Sequence, residues 1–373
     1  MTLAGYVPSA AHWEVRPPAA VGVRADGLQA AIAWHRSHES AWPRNFITPG
    51  GRFIGVADEP PDSEVLGPVR PREDVNGLVV RRGYIVAEWG DTRRPDMSFS
   101  IAKSYLAVLA GLAVQHRLIR HLDEPVAASA IDDAFASPQN AAITWRHLLT
   151  QTSEWQGTLW GKPDTIDHNR DLGKSELGRA VKGQARPLQK PGTLWEYNDV
   201  RVNRLSLSLL QRFRRALPDV LRETVMDPIG AAPDWEWHPY WSSWIDLDGR
   251  RLPSVPGGSH WGGGLWMSSR DHARFGLLIH RRGMWEGRQL LDSGWIEEML
   301  QPCPRNPQYG LLWWLNTGRA QAPGAPESCH AARGAGSNVI WIDPEHDLVV
   351  VVRWIDKASF PGFLDLILES VTR

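Results

Sequence analysis

A chain of 373 residues with a formal net charge of -1 and 22% charged residues has no basic stripe, which excludes nucleic acid as its main partner and points to small molecules. Its length exceeds what one hydrophobic core ordinarily fills, so two lobes are expected. Cys303 and Cys329 are too few for a disulfide framework and too far apart for a metal motif, no run of about 18 apolar residues offers a membrane span, and the first residues lack a secretory pattern, so a soluble, cytoplasmic protein is expected.

Residues 27–36, GLQAAIAWHR, have helical spacing, and the Pro, Gly and Asp of residues 43–75 read as an irregular connection. Residues 77–90, GLVVRRGYIVAEWG, are two β-rich runs around Arg81-Arg82-Gly83, a hairpin signal. Next comes MSFSIAKSYLAVLAG, residues 97–111, which sets Ser100 three places before Lys103 at the start of an apolar helix. Pro95, Asp96 and Ser98 supply the start signals. Of the 41 basic residues only 6 are Lys, so a Lys kept among apolar neighbours points to proton chemistry that Arg cannot perform. With 24 Ser in the chain, chance alone supplies about 0.4 Ser-x-x-Lys pairs, so the context must carry the assignment. In a helix the two side chains share a face, a hydroxyl beside an amine, and the helix N-terminus favours an oxyanion. Leu106, Leu109 and Leu112 would bury the helix and fix the pair.

Residues 121–260 read as helices and long loops, with RVNRLSLSLLQRFRRAL (201–217) the clearest helix. Before it, PGTLWEYNDVRVN (191–203) places Tyr197 between a Pro-Gly turn and a helix, where a phenol either faces a groove or packs beside Trp195. DWEWHPYWSSW (234–244), which contains Trp241, is either an aromatic wall over a substrate or a lobe packed by Trp. In HAARGAGSNVIWIDPE (330–345), Gly334 and Gly336 allow backbone to approach a ligand closely, or mark a bulge. NVIWIDPEHDLVVVVRW (338–354) is a second β-rich pair of runs, and FPGFLDLILESV (360–371) is helical. No internal repeat interrupts this order. The simplest arrangement pairs the two ends in one antiparallel sheet with a helical lobe inserted between them.

This order of motifs resembles the serine β-lactamase and penicillin-recognising superfamily, in particular the class C-like branch that holds family VIII carboxylesterases and 6-aminohexanoate-dimer hydrolases. TWRHLLTQTSEW (144–155) and GGGLWMSSRDHARFGLLIHRRGMWEGRQLL (262–291) add to the likeness, which spans roughly residues 75–373. The resemblance implies an α+β, β-lactamase/transpeptidase-like fold, an antiparallel sheet flanked by helices. Residues 76–120 and 261–373 would form the sheet lobe, 121–260 the inserted lobe, and 1–75 an extension packed on the sheet lobe. It implies Ser100 as acylated nucleophile, Lys103 as its base, Tyr197 as proton shuttle, and the Ala335 N–H as partner of the Ser100 N–H in an oxyanion hole. It implies no metal and no organic cofactor. Asp199, Arg333, Gly334 and Trp241 are the expected substrate-binding residues.

Two departures stand out. Relatives carry Tyr-x-Asn where this chain has Tyr197-Asn198-Asp199, and β-lactamases carry Lys-Thr-Gly where it has Ala332-Arg333-Gly334. An anion at Asp199 and the missing cation at Ala332 are expected to disfavour substrates with a carboxylate near the scissile bond. The expected activity is hydrolysis of a small ester or amide through an acyl-enzyme on Ser100. Acyl transfer by the same intermediate, true β-lactamase activity and a non-catalytic binding role are the alternatives. Oligomeric state is not legible.

Overall fold

The computed structural model describes residues 5–48, 50–54, 63–170, 172 and 181–372. In chain order the elements that frame the site begin with helix α1 (Ala25–Ser37), strands β1 (Asn76–Arg81), β2 (Tyr84–Trp89) and β3 (Asp96–Met97), and helix α2 (Ile101–Gln115). Helices α3 (Trp145–Leu149) and α4 (Asp199–Phe213), then strands β4 (Glu236–His238) and β5 (Gly264–Met267), follow. Helix α5 (Ser269–His280), strands β6 (Trp314–Leu315), β7 (His330–Gly334), β8 (Asn338–Asp343) and β9 (Leu348–Arg353), and helix α6 (Phe360–Ser370) complete the frame.

The main sheet has the order β6-β7-β8-β9-β1-β2 with every neighbour antiparallel. The two β-rich ends of the chain therefore meet, Asn76 opposite Arg353. The unbroken apolar run of β9 serves two cores, because successive side chains leave opposite faces. Leu348, Val350 and Val352 join α1 and α6, whereas Val349 and Val351 join the cluster that holds α2 and α5. Gly276 lets α5 lie close on the sheet, since a Cβ there would come within 2.8 Å of Ile340 and 2.9 Å of Val349.

Every residue from Ile101 to Ala113 in α2 is buried. A helix apolar on all sides belongs inside a large protein, and α2 lies between the sheet lobe and α4, which packs on it. A second sheet, β3-β5-β4, ties the start of α2 to the middle of the chain. Residues 234–253, read from sequence within a region of helices and loops, contain β4 and a hairpin pairing Trp244–Leu247 with Arg250–Pro253. Among the described residues no helix is long and apolar enough to cross a membrane.

Candidate active site

The site starts with one strained residue. Phe99 has φ +50°, a left-handed conformation that non-glycine residues rarely adopt. Edge-on contacts from Trp42, Phe46 and Trp354 hold its ring, and Ser98 is fixed by hydrogen bonds to the Leu265 carbonyl and the His272 ring. This over-determined turn delivers Ser100 to the N-cap of α2. The Ser100 hydroxyl makes no capping bond, so it is left for chemistry.

Lys103, 1% exposed, points back along the same face. Its Nζ lies 2.9 Å from Ser100 Oγ, 2.5 Å from Asp199 Oδ1 and 3.2 Å from the Gly257 carbonyl. Tyr197 shares the cavity with Ser100, and its ring centroid is 4.7 Å from Lys103 Nζ. Burial and then the Asp199 charge hold its phenol well above the ordinary range, so it is a neutral O–H. Asp199 opens α4 behind the Asn198 cap, whose side chain accepts the Arg201 N–H at 3.1 Å. Its second oxygen takes Arg170 at 2.5 Å, with His260 Nδ1 at 3.7 Å. Burial alone would raise the Asp199 carboxyl, but Lys103 and Arg170 outweigh it and hold the group ionised.

Both Asp199 oxygens are engaged, one by Lys103 and the other by the Arg170 guanidinium, so the anion that the sequence puts beside the acyl site is paired internally. The expected bias against carboxylate-bearing substrates loses that source. Ala335 lies in the turn Ala335-Gly336-Ser337 between β7 and β8, with Gly336 at φ +73° and Ser337 at φ +56°. Gly334 abuts the nucleophile turn so closely that a Cβ would fall 2.3 Å from the Ser98 carbonyl. This approach brings Ala335 and Ser100 to one cavity. Among the described residues neither backbone N–H has another acceptor.

The cavity is about 460 Å³. Trp42, Trp195 and Trp314 give it an apolar wall, while Gln321, Arg333, Asp356 and Lys357 give it a polar side. Arg333 donates to Gln321, its guanidinium lies 5.4 Å from the Phe360 ring centroid, and burial lowers it to about 10. Ser100, Tyr197, Arg333, Gly334 and Ala335 line this space, with Lys103 and Asp199 directly behind. Trp241 does not line it: the residue is 67% exposed, and Trp42, Trp195 and Trp314 form the aromatic wall instead. Among the described residues no group of three His, Cys, Asp or Glu side chains is placed to hold a metal.

Sequence reading missed three contributors. Arg170 and Trp42 sit in segments without a periodic pattern, so nothing local marks them. The Gly257-Gly258 pair in PGGSHW was a visible signal of close backbone approach. A Cβ on Gly258 would lie 3.3 Å from Lys103 Nζ and 3.4 Å from Ser100 Oγ.

A family model described as Beta-lactamase matches residues 78–357. A penicillin-binding protein homologue from Caulobacter crescentus is similar in fold, with a TM-score of 0.60 and 15% identity over 94% of this chain and 99% of that one. A protein assigned as a 6-aminohexanoate-dimer hydrolase from Bacillus anthracis gives a TM-score of 0.57 and 14% identity over 96% of this chain and 100% of that one. EstCE1, described as a hydrolase with promiscuous acyltransferase activity, gives 0.56 and 15% identity over 82% and 93%. No curated protein sequence matches the chain.

Proposed function

From the premise that this chain belongs to the beta-lactamase family, we propose that it is a serine hydrolase cleaving a small ester or amide through an acyl-enzyme on Ser100. The carrying observation is the surroundings of Lys103 Nζ: three oxygens, of Ser100, Asp199 and Gly257, within 3.2 Å. A neutral amine has two N–H donors and one lone pair. Donating to Asp199 and Gly257 turns the lone pair toward the Ser100 hydroxyl, the geometry of a general base.

Lys103 takes the proton as Ser100 Oγ attacks the carbonyl carbon. The tetrahedral oxyanion faces the N–H groups of Ser100 and Ala335. Tyr197, a neutral phenol beside Ser100 in the same cavity, passes a proton to the leaving group and receives it back from Lys103. Water then repeats the sequence on the acyl-enzyme. Acyl transfer to an alcohol shares every step but the last, and product analysis with added acceptor alcohol measures the partition.

A fluorophosphonate is expected to phosphonylate Ser100, with loss of fluoride and a mass gain equal to the reagent less HF, and to label no other residue. Ser100→Ala is expected to abolish that label while the protein stays folded. Lys103→Arg keeps a cation but removes the proton acceptor, so turnover is expected to fall at least about a thousandfold. Retention of most activity by Lys103→Arg would reduce the lysine to a fixed charge and overturn its role as base.

A further inference from the structure

We infer that Arg170 is the positioning residue that lets Lys103 release its proton, by balancing the Asp199 carboxylate in its place. The inference rests on the serine-hydrolase reading. Lys103 and Asp199 form a tight pair with side chains 2% and 5% exposed. In such a pair the amine is locked as a cation, because removing its proton would leave an uncompensated buried carboxylate. A chain that places Asp at this position needs another positive charge before Lys103 can act as a base.

Arg170 supplies it. Its NH1 lies 2.5 Å from Asp199 Oδ2 and 3.2 Å from Asp167 Oδ1. Asp167 accepts the Asp199 backbone N–H at 2.7 Å and pairs with Lys182 at 3.3 Å. Charge thus alternates along Lys103, Asp199, Arg170, Asp167 and Lys182. With Lys103 neutral, the other four still balance. Remove Arg170, and balance is restored only with Lys103 charged. A guanidinium keeps its proton over the working pH range, so the charge it lends is constant. Its carbon also lies 5.1 Å from the Tyr197 ring centroid, where its charge opposes the upward pull of burial and Asp199 on the phenol.

The other groups facing Lys103 are the Ser100 hydroxyl, the Tyr197 ring, Tyr309 behind that ring, and the Gly257 carbonyl. His260 is a second titratable group on Asp199. It is separated from Lys103 by substitution.

The test is the pH dependence of kcat/KM for an activated ester, paired with the rate of fluorophosphonate labelling of Ser100, in intact protein. Arg170→Met is expected to move the acid limb up by about one pH unit or more, with at least a tenfold loss at neutral pH that recovers in alkali. Arg170→Lys is expected to restore part of the shift. Asp199→Asn alone is expected to move the limb down, and the double variant to return it near the parent position. In a His260→Asn background the upward move on Arg170→Met is expected to persist, and its loss there would overturn the inference. A pH-independent loss in Arg170→Met would make Arg170 merely structural and would also overturn it. Should Arg170→Met fail to fold, Asp199→Asn decides, since an unmoved or raised limb in that variant contradicts the charge balance. Absence of any Ser100 label in the unsubstituted protein at every pH would instead overturn the serine-hydrolase reading.

Discussion

Gly258 shows how little room surrounds the reacting atoms. A methyl group there would press on Lys103 Nζ and Ser100 Oγ at 3.3 and 3.4 Å, with Asp199 Oδ1 at 3.6 Å. Each of those atoms is held by bonds that a small displacement breaks. Gly258→Ala is therefore expected to lower kcat/KM about a hundredfold by misplacing the pair. Its melting temperature should stay near that of the parent, because the nearest atoms all belong to polar side chains of the site and not to the apolar core. A matching drop in melting temperature would show that the glycine serves packing instead. At this scale the sequence was informative where chemistry and spacing are local. Ser100 and Lys103 share one helical turn, and Tyr197 follows a recognisable turn. Asp199 was visible as a departure, but its partner Arg170 was not, because 29 residues of chain separate them and only the fold closes that distance. Trp241 was misplaced for the same reason: aromatic clustering in sequence does not say which rings face the cavity.

Among the elements, α2 sets two principles against each other at Gly111. Replacing glycine by alanine inside a helix ordinarily stabilises by about 1 kcal/mol. Here the added Cβ would come 2.3 Å from the Trp295 indole, whose Nε1 donates to the Ala107 carbonyl at 3.1 Å. Overpacking a core costs about 1–3 kcal/mol. The second effect is the larger, so Gly111→Ala is expected to lower stability by up to about 2 kcal/mol in chemical denaturation. A more stable variant would mean that Trp295 moves aside freely. The helix itself was legible, being a long apolar run with start signals, and so were the β1–β2 hairpin and α6. The strands of 236–253 were not, since they are three or four residues long and mix Trp, His, Asp and Arg. Pairing with β5, not local pattern, makes β4 a strand.

Across the whole molecule, buried histidines tie its layers together in neutral form. Trp89 Nε1 donates to His35 Nδ1 at 3.0 Å, and His35 Nε2 donates to the Arg353 carbonyl at 3.0 Å, joining α1 to β2 and β9. Burial lowers His35 and His330 from the ordinary 6.5 to about 4. Both bind protons more readily when unfolded, so their contribution is complete above pH 6.5 and is lost as pH falls toward 4. The melting temperature should decline through that window, and the slope should flatten in a His35→Gln/His330→Gln variant. An unchanged slope would place the sensitivity elsewhere. Glu154 adds a second decline: burial would raise it, but Arg186 and Arg201 hold it at about 2, so its contribution fades from pH 4.5 downward. That the two ends of the chain share a sheet was legible from their matching β-rich runs. The strand order was not, because it depends on which edges meet. That order has a consequence in time. Strand β1 cannot find its partner β9 until residues 348–353 exist, and the turn carrying Ala335 is made almost as late. On a ribosome the nucleophile helix would emerge early and wait, apolar on every side, for the strands that cover it. Closing so long a loop is slow, so the nascent chain carries this largely apolar helix without its cover through most of its synthesis.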